Sequence, residues 1–412
     1  MKTLIKNLTL HYPNTVWDGR KVDVLLEDGI VLEIENQISQ TSDQLIEFDG
    51  LIGFPSLIDL QATCGEPGNE YLENLNSMSD AAARGGFSHV CLLPTTEPAV
   101  DNAAQIRNIA KHNASNGVKL LPYGALSKGC SGKQLSEMFD MQQQGAIGFT
   151  DGKSPIYDTN LMKRALEYVK PFGGWISAFP YDESVSPGGM VNESRNNVSM
   201  GIKQSPELSE EIMLNRDIYL LEYTGSRLHV SNVSSIGSID LIRTAKSKGL
   251  SITAGVSMHN LIYNESALND FDTNFKTQPA LRSKETQRAL LDAVLDGTID
   301  VVVSDHTPVN IEAKDCEFEH AAYGMTMLET MLPLVNEKLD DLKWAGIVQA
   351  AALRPRQILG LQAPELAVGS RFDITMFAPN ESWIYDLDNC ASKSHNSPEF
   401  KKELLGRVIR LS

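Results

Sequence analysis

Eight short apolar runs alternate with helix-like stretches along most of this chain, and that alternation constrains the fold more than any other feature. The runs are LIGFPSLIDL (51–60), SHVCLLPTT (88–96), KLLPYGAL (119–126), GAIGFTD (145–151), GGWISAFP (173–180), RLHVSNVSS (227–235), SITAGVSMH (251–259) and IDVVVSDHTP (299–308). All but the first follow a helix-like stretch: AAARGG, AAQIRNIAKHNA, SEMFDMQQQ, LMKRALEYVK, EIMLNRDIYLLEYTG, SIDLIRTAKSKG and KETQRALLDAVLDG. Strands separated by helices build a parallel sheet, and eight such units in roughly 310 residues predict a (β/α)8 barrel. A doubly wound open sheet is the main competitor, but the chain has no G-x-G-x-x-G or G-x-x-x-x-G-K-[ST] loop to support one.

The two ends read differently. VDVLLEDGIVLEIE (22–35) places β-branched and apolar residues around an Asp28-Gly29 turn, a hairpin signal. GSRFDITMFAPNESWIYD (369–386) is again strand-rich. Residues 1–55 and 366–412 are therefore expected to share one small β unit, with the barrel, 56–365, inserted between them. A length of 412 residues suits one large α/β domain plus a smaller one. Lys and Arg number 36 against 53 Asp and Glu, a net charge of −17. A surface this acidic repels phosphate backbones, so no nucleic-acid partner is expected. Five scattered cysteines without a C-x-x-C pair argue against a disulfide framework and a structural zinc site. The opening MKTLIKNLTLHYPNTV has no apolar signal core, and no run of about 18 apolar residues exists. The expectation is a cytoplasmic chain with no membrane association. The polar stretch 183–201 is expected to be mobile.

Barrel chemistry sits at the C-terminal strand ends. Asp305 closes the apolar run IDVVVSDH and is a candidate general base or metal ligand, against the plainer role of capping a turn. His229, inside LHVSNVSS, is expected to point into the barrel; it, His259 and Asp151 each weigh a ligand role against that of a hydrogen-bonded core or turn residue, the commoner fate. Cys64 stands where a nucleophile could stand, but no His adjoins it in sequence. His89, His112, His320 and His395 fall in helical or loop contexts and are expected at the surface. A catalytic zinc takes three protein ligands plus water, and no H-x-H pair anchors one here.

These segments resemble dihydroorotases of the amidohydrolase superfamily, the type that assembles with aspartate carbamoyltransferase, over nearly the whole chain. LIGFPSLIDLQATCGEPGNE is similar to the family's P-G-x-I-D-x-H-x-H-x-R-E-P-G, and AAARGGFSHVCLLPTTEPAVD to its A-A-x-G-G-F-T-x-V-x-x-M-P-N-T-x-P-x-x-D. TGSRLHVSNVSS resembles T-G-x-x-x-H-x-x-H-V-S-T, and FKTQPALR through DGTIDVVVSDHTP resembles K-x-N-P-P-L-R through D-G-T-I-D-x-x-x-T-D-H-A-P-H. AAYGMTMLET resembles F-G-x-x-x-L-E-T. The resemblance implies an amidohydrolase-type TIM barrel with a small β-sandwich formed by both chain ends.

Departures from the pattern fall on the functional positions. The zinc-binding H-x-H pair is Gln61 and Thr63, and the Arg that grips the substrate carboxylate is Gly65. The substrate-contacting Asn of M-P-N-T is Thr95, and the Asn of N-P-P-L-R is Gln278. The His of the family's H-C-E-D segment is Phe179, the second His of H-x-x-H is Asn232, and the last His of D-H-A-P-H is Val309. Asp151 (or Lys153, the register of FTDGK being open), His229, Asp305 and His306 persist. Gln and Thr are poor zinc ligands and Phe is none. The resemblance therefore implies a dihydroorotase-like protein of de novo pyrimidine biosynthesis that has lost turnover, a pseudoenzyme partnering aspartate carbamoyltransferase, with no cofactor. An active cyclic-amide hydrolase is the alternative, in which Asp305 acts as base and Asp151, His229 and Asp305 hold a weakly bound zinc. A metal-free binder of a pyrimidine-like ligand is the third reading. A homo-oligomer is also implied.

Overall fold

The computed structural model describes residues 1–112 and 114–411. All eight predicted barrel strands are present: Leu57–Ala62, Phe87–Leu92, Lys119–Pro122 continuing as Gly124–Ala125, Phe149–Thr150, Ile176–Ala178, Leu228–Val230, Ile252–Ser257 and Val301–Val303. Each neighbouring pair runs parallel, through registers such as Val90↔Leu120, Phe149↔Ile176, His229↔Thr253 and Val256↔Val302. The ring closes where Ala62 bridges His306 and the Thr63 amide donates to the His306 carbonyl at 2.8 Å. This is the (β/α)8 barrel expected from the alternation.

Strand alternation sorts the core. Val302 faces the outer helices, whereas Val301 and Val303 pack with Ile58, Leu60, Cys91, Tyr123 and Trp175 and fill the barrel. The helices between strands begin at short polar caps that satisfy their free amides. Asn74 accepts from the Ser77 amide at 2.8 Å, Ser235 from Ser238 at 3.0 Å and Ser283 from Thr286 at 3.1 Å. The helix in AAQIRNIAKHNA spans Ala103–Ala110, and Asn113 of that stretch lies outside the described residues.

Both chain ends meet in one seven-stranded sheet, ordered 403–409, 374–384, 52–55, 2–10, 21–27, 30–35, with 44–46 pairing 2–10. The Asp28-Gly29 turn joins Lys21–Glu27 to Ile30–Glu35, and its two positive φ angles (50° and 78°) match the twist a tight hairpin needs. One expectation needs correction here. LIGFPSLIDL is two strands, not one: Ile52–Pro55 belongs to the small sheet and Leu57–Ala62 opens the barrel. The break falls at Ser56, which buried Arg356 clamps by donating to its carbonyl at 2.7 Å and its hydroxyl at 3.0 Å. A second correction concerns His89, which lies on the strand Phe87–Leu92 rather than in a loop or helix. Within the polar stretch 183–201, Val191–Asn192 pairs with Gln204–Ser205, and Asn192 and Asn197 both donate to Glu265. No helix among the described residues is long and apolar enough to cross a membrane.

Candidate functional site

The strand ends converge on Asp305. It follows the eighth strand with φ at +52°, a conformation Asp tolerates better than most residues, and its carboxylate is buried. Its Oδ1 accepts from Gln61 Nε2 at 2.8 Å, from the first strand. Its Oδ2 accepts from Lys153 Nζ at 2.7 Å, from the loop after the fourth. His259, two residues past the seventh strand, places Nε2 3.7 Å from Oδ2 and 3.0 Å from the Ser257 hydroxyl. Burial pulls the His259 imidazole down to about 4, a shift that Lys153 reinforces and Asp305 opposes. Among the described residues its Nδ1 is buried without a partner, as are both amide atoms of Asn232, two residues past the sixth strand with φ at +52°.

Above this cluster Lys153 also lines an open cavity of about 500 Å³ with Tyr181, Glu183, Gln278 and Tyr323. Below it a second carboxylate, Asp59, is enclosed in the first strand. It accepts from the amides of Ser304 (3.1 Å) and Gln61 (3.2 Å) and from the Ser304 hydroxyl. Burial raises it to about 7 against those hydrogen bonds. Neither the Asp59–Ser304 pair nor the Gln61–Asp305 bond was visible in the sequence, because each joins residues more than two hundred positions apart.

Two of the three remnant ligands expected from sequence do not reach this point. Asp151 is turned to Ser127, accepting from its amide at 2.9 Å and from its hydroxyl, and so anchors the loop that follows the third strand. Of the residues in FTDGK, Lys153 is the one that reaches Asp305. His229 points into the barrel, since Leu228 and Val230 on either side face the helices. Its Nδ1 lies 2.9 Å from the Thr253 hydroxyl and its ring meets Trp175 edge-on at 5.9 Å. Burial drops it to about 3. Thr253 and Ser257 sit at opposite ends of the seventh strand, about 13 Å apart at the usual rise, so His229 lies well below the mouth. His306 is a structural pin: Nδ1 accepts from the Met327 amide at 3.2 Å and Nε2 lies 3.4 Å from Glu73.

Several positions that depart from the family pattern are taken up by packing. Phe179 is buried against Tyr181, ring centroids 6.1 Å apart, and offers no donor atom. Val309 is buried, and its amide donates to Asn396 at 3.0 Å. A Cβ on Gly65 would lie 2.1 Å from the Asn69 carbonyl oxygen and 2.9 Å from that of Glu73. No side chain fits there without moving backbone. Cys64, buried, has its thiol pushed up to about 12 by that burial, which disqualifies it as a nucleophile at neutral pH. Zinc does not fit this donor set. Among the described residues no group of three or more His, Cys, Asp or Glu could hold a metal ion. The one central carboxylate already binds an ammonium, and that charge repels a cation.

Comparison with known proteins agrees with the scaffold. A family model described as "Dihydro-orotase-like" matches residues 50–238. The chain is 36% identical over 414 residues to the dihydroorotase of Syntrophus aciditrophicus, covering 99% of this chain and 97% of that one. It is 37% identical over 389 residues to the dihydroorotase of Geobacter metallireducens, covering 93% and 92%. Among solved structures, an L-hydantoinase (dihydropyrimidinase) from Arthrobacter aurescens superposes with a TM-score of 0.81 at 20% identity, over 99% of this chain and 93% of that one. That last likeness speaks for the fold alone.

Proposed function

The chain belongs to the dihydroorotase family, and from that premise we propose that it is a member without hydrolytic turnover, acting as a structural or regulatory partner of an aspartate carbamoyltransferase. One observation carries the loss of turnover: both oxygens of Asp305 are engaged, by Lys153 Nζ at 2.7 Å and Gln61 Nε2 at 2.8 Å. Opening a cyclic amide with water at neutral pH calls for an activated nucleophile. A general base must be free to reach the proton it takes, and both oxygens of this carboxylate already accept hydrogen bonds from side chains of the barrel mouth. The Gly65 contact adds to this, since the family's carboxylate-gripping Arg has no room on the present backbone. The partner role rests on the family resemblance together with the fully retained barrel and sheet.

A specific observation supports the active alternative. Asn232 and His259 Nδ1 keep buried polar atoms without partners among the described residues, and native structures seldom leave such atoms unused. The deciding experiment measures dihydroorotate hydrolysis and its reverse with the purified chain, zinc in excess and metal counted per chain. The expected result is no turnover and no stoichiometric ion. Turnover with one ion per chain overturns the proposal. For the partnership, sedimentation of the chain mixed with the carbamoyltransferase of its own cell is expected to give a co-migrating complex, and separate boundaries refute it.

A further inference from the structure

On the underside of the barrel, the face away from the mouth, a cavity of about 580 Å³ opens where the small sheet meets the barrel. One wall is the loop 12–17, which follows the strand Lys2–Leu10. The other is the helix Arg354–Leu359 and the chain after it, to Leu366. Val16, Trp17, Leu353, Leu361 and Leu366 give both walls an apolar lining, and Val16 and Leu361 stand exposed at the rim. The Tyr12 hydroxyl donates to the Pro364 carbonyl and ties the two walls together. The underside placement follows from Ser56, which Arg356 clamps just before the first barrel strand begins. A concave, mostly apolar cleft of this size at a seam between two units is where small molecules bind.

The floor carries a charge. Arg356 lines the cavity and is only 3% exposed. A guanidinium has five N–H groups to place. Nη1 spends its two on the Ser56 carbonyl at 2.7 Å and the Ala352 carbonyl at 2.8 Å, and Nη2 spends one on the Ser56 hydroxyl at 3.0 Å. Ser56 thus takes the end of the guanidinium. The side, Nε with the second Nη2 proton, has no acceptor within hydrogen-bond distance among the described residues. Asp373 stays 3.9 Å from Nη2 and accepts from the Ser56 hydroxyl instead. Burial pulls the guanidinium below its usual range, and Asp373 and Tyr12 offset that only in part. Glu365 also lines the cavity, but stands in water. Two unspent N–H groups on one edge of a guanidinium are the fork that a carboxylate fits. The wall that presents them runs out of a π-helical turn, Gln349–Leu353, a geometry that recurs at functional sites. A net charge of −17 holds free anions off at long range, so a ligand here needs apolar contact as well as charge.

We propose that this cavity binds a small amphiphilic carboxylate, its head on the free edge of Arg356 and its apolar body between Trp17 and Leu361. The site lies at the opposite end of the barrel from Asp305, so it stands whether or not the mouth turns over a substrate.

Isothermal calorimetry of the full chain with octanoate, held below its micelle-forming concentration, is the test. Saturable binding of one octanoate per chain is expected. 1-Octanol keeps the body and loses the charged head, and should bind at least about tenfold more weakly, the equivalent of about 1.4 kcal/mol. Arg356→Gln should erase that preference for acid over alcohol. Because Arg356 also clamps Ser56, thermal unfolding checks that this variant folds. Val16→Asp and Leu361→Glu change exposed rim positions, and keep the test decisive if it does not. Each sets a carboxylate beside the ligand, and should weaken octanoate binding at least about tenfold with little change in melting temperature. Equal affinity for acid and alcohol in wild type overturns the proposal. So does binding that never saturates, or octanoate binding that survives unchanged in both folded rim variants.

Discussion

Two buried polar clusters near the strand ends of this barrel have opposite characters. Around Arg282, every charged group is answered. The guanidinium donates to the Ser205 carbonyl at 2.7 Å, to Asn192 at 3.2 Å and to the Ser234 hydroxyl at 3.2 Å. Ser234 in turn donates its amide to Glu210 at 3.0 Å. Around Asp305 the central charge is answered by a lysine, while Asn232 and one nitrogen of His259 have no partner among the described residues. The first cluster ties loops together and belongs to the scaffold. The second occupies the positions where the family pattern places its chemistry. The contrast separates a fully partnered frame from a mouth centred on an internal ion pair.

Breaking each cluster measures that contrast. The largest effect is expected at Arg282, where Arg282→Met leaves Glu210 buried without its counter-charge, while burial already raises the Glu210 carboxyl. Loss of about 3–5 kcal/mol in urea unfolding is the expectation, and a loss under about 1 kcal/mol would dissolve the distinction. Lys153→Met should cost less, about 2 kcal/mol, because Lys153 is one-fifth exposed and water reaches the pair. Adding Asp305→Asn to that variant should restore most of the loss. Simple additivity of the two changes would show that the pair is not coupled.

Acid gives the next effect. The His259 imidazole falls from 6.5 unfolded to about 4 folded, so the unfolded chain binds the extra proton. Its stabilising contribution is full above 6.5 and is lost as pH falls from there towards about 4. One unit below 6.5 the loss is about 1.4 kcal/mol. Denaturant titrations at stepped pH should show a shallower decline over that window in His259→Gln than in wild type; parallel curves would contradict the burial argument. The smallest effect belongs to metal. Neither excess zinc nor a chelator should shift the melting temperature of wild type, and a zinc-dependent rise would reopen the mouth as a metal site.

The architecture was legible because it is written in long, repeated signals. Eight apolar runs and their helices survive local irregularity, and even the Leu51–Leu60 run misled only in hiding a break at Ser56. The site was less legible for a local reason. The fourth strand is only Phe149–Thr150, too short for alternation to say whether Asp151 or Lys153 faces the mouth. The inward direction of His229 was legible, and apolar Leu228 and Val230 on either side set it; its depth below the mouth was not. Gln61 read as a lost ligand, and only the folded chain reveals it as a donor to Asp305.

The shared sheet has a consequence in time. Ile52–Pro55 pairs with Ile374–Ile384, a partner more than three hundred residues downstream. At about 5–20 residues per second, a ribosome delivers that partner only after tens of seconds. Until then the edge of Ile52–Pro55 that Ile374–Ile384 will cover stays open, although the last barrel strand, Val301–Val303, has already been synthesised. Any truncation before Ile374 therefore leaves the nascent chain with a bare strand edge, the feature most prone to pair with another molecule.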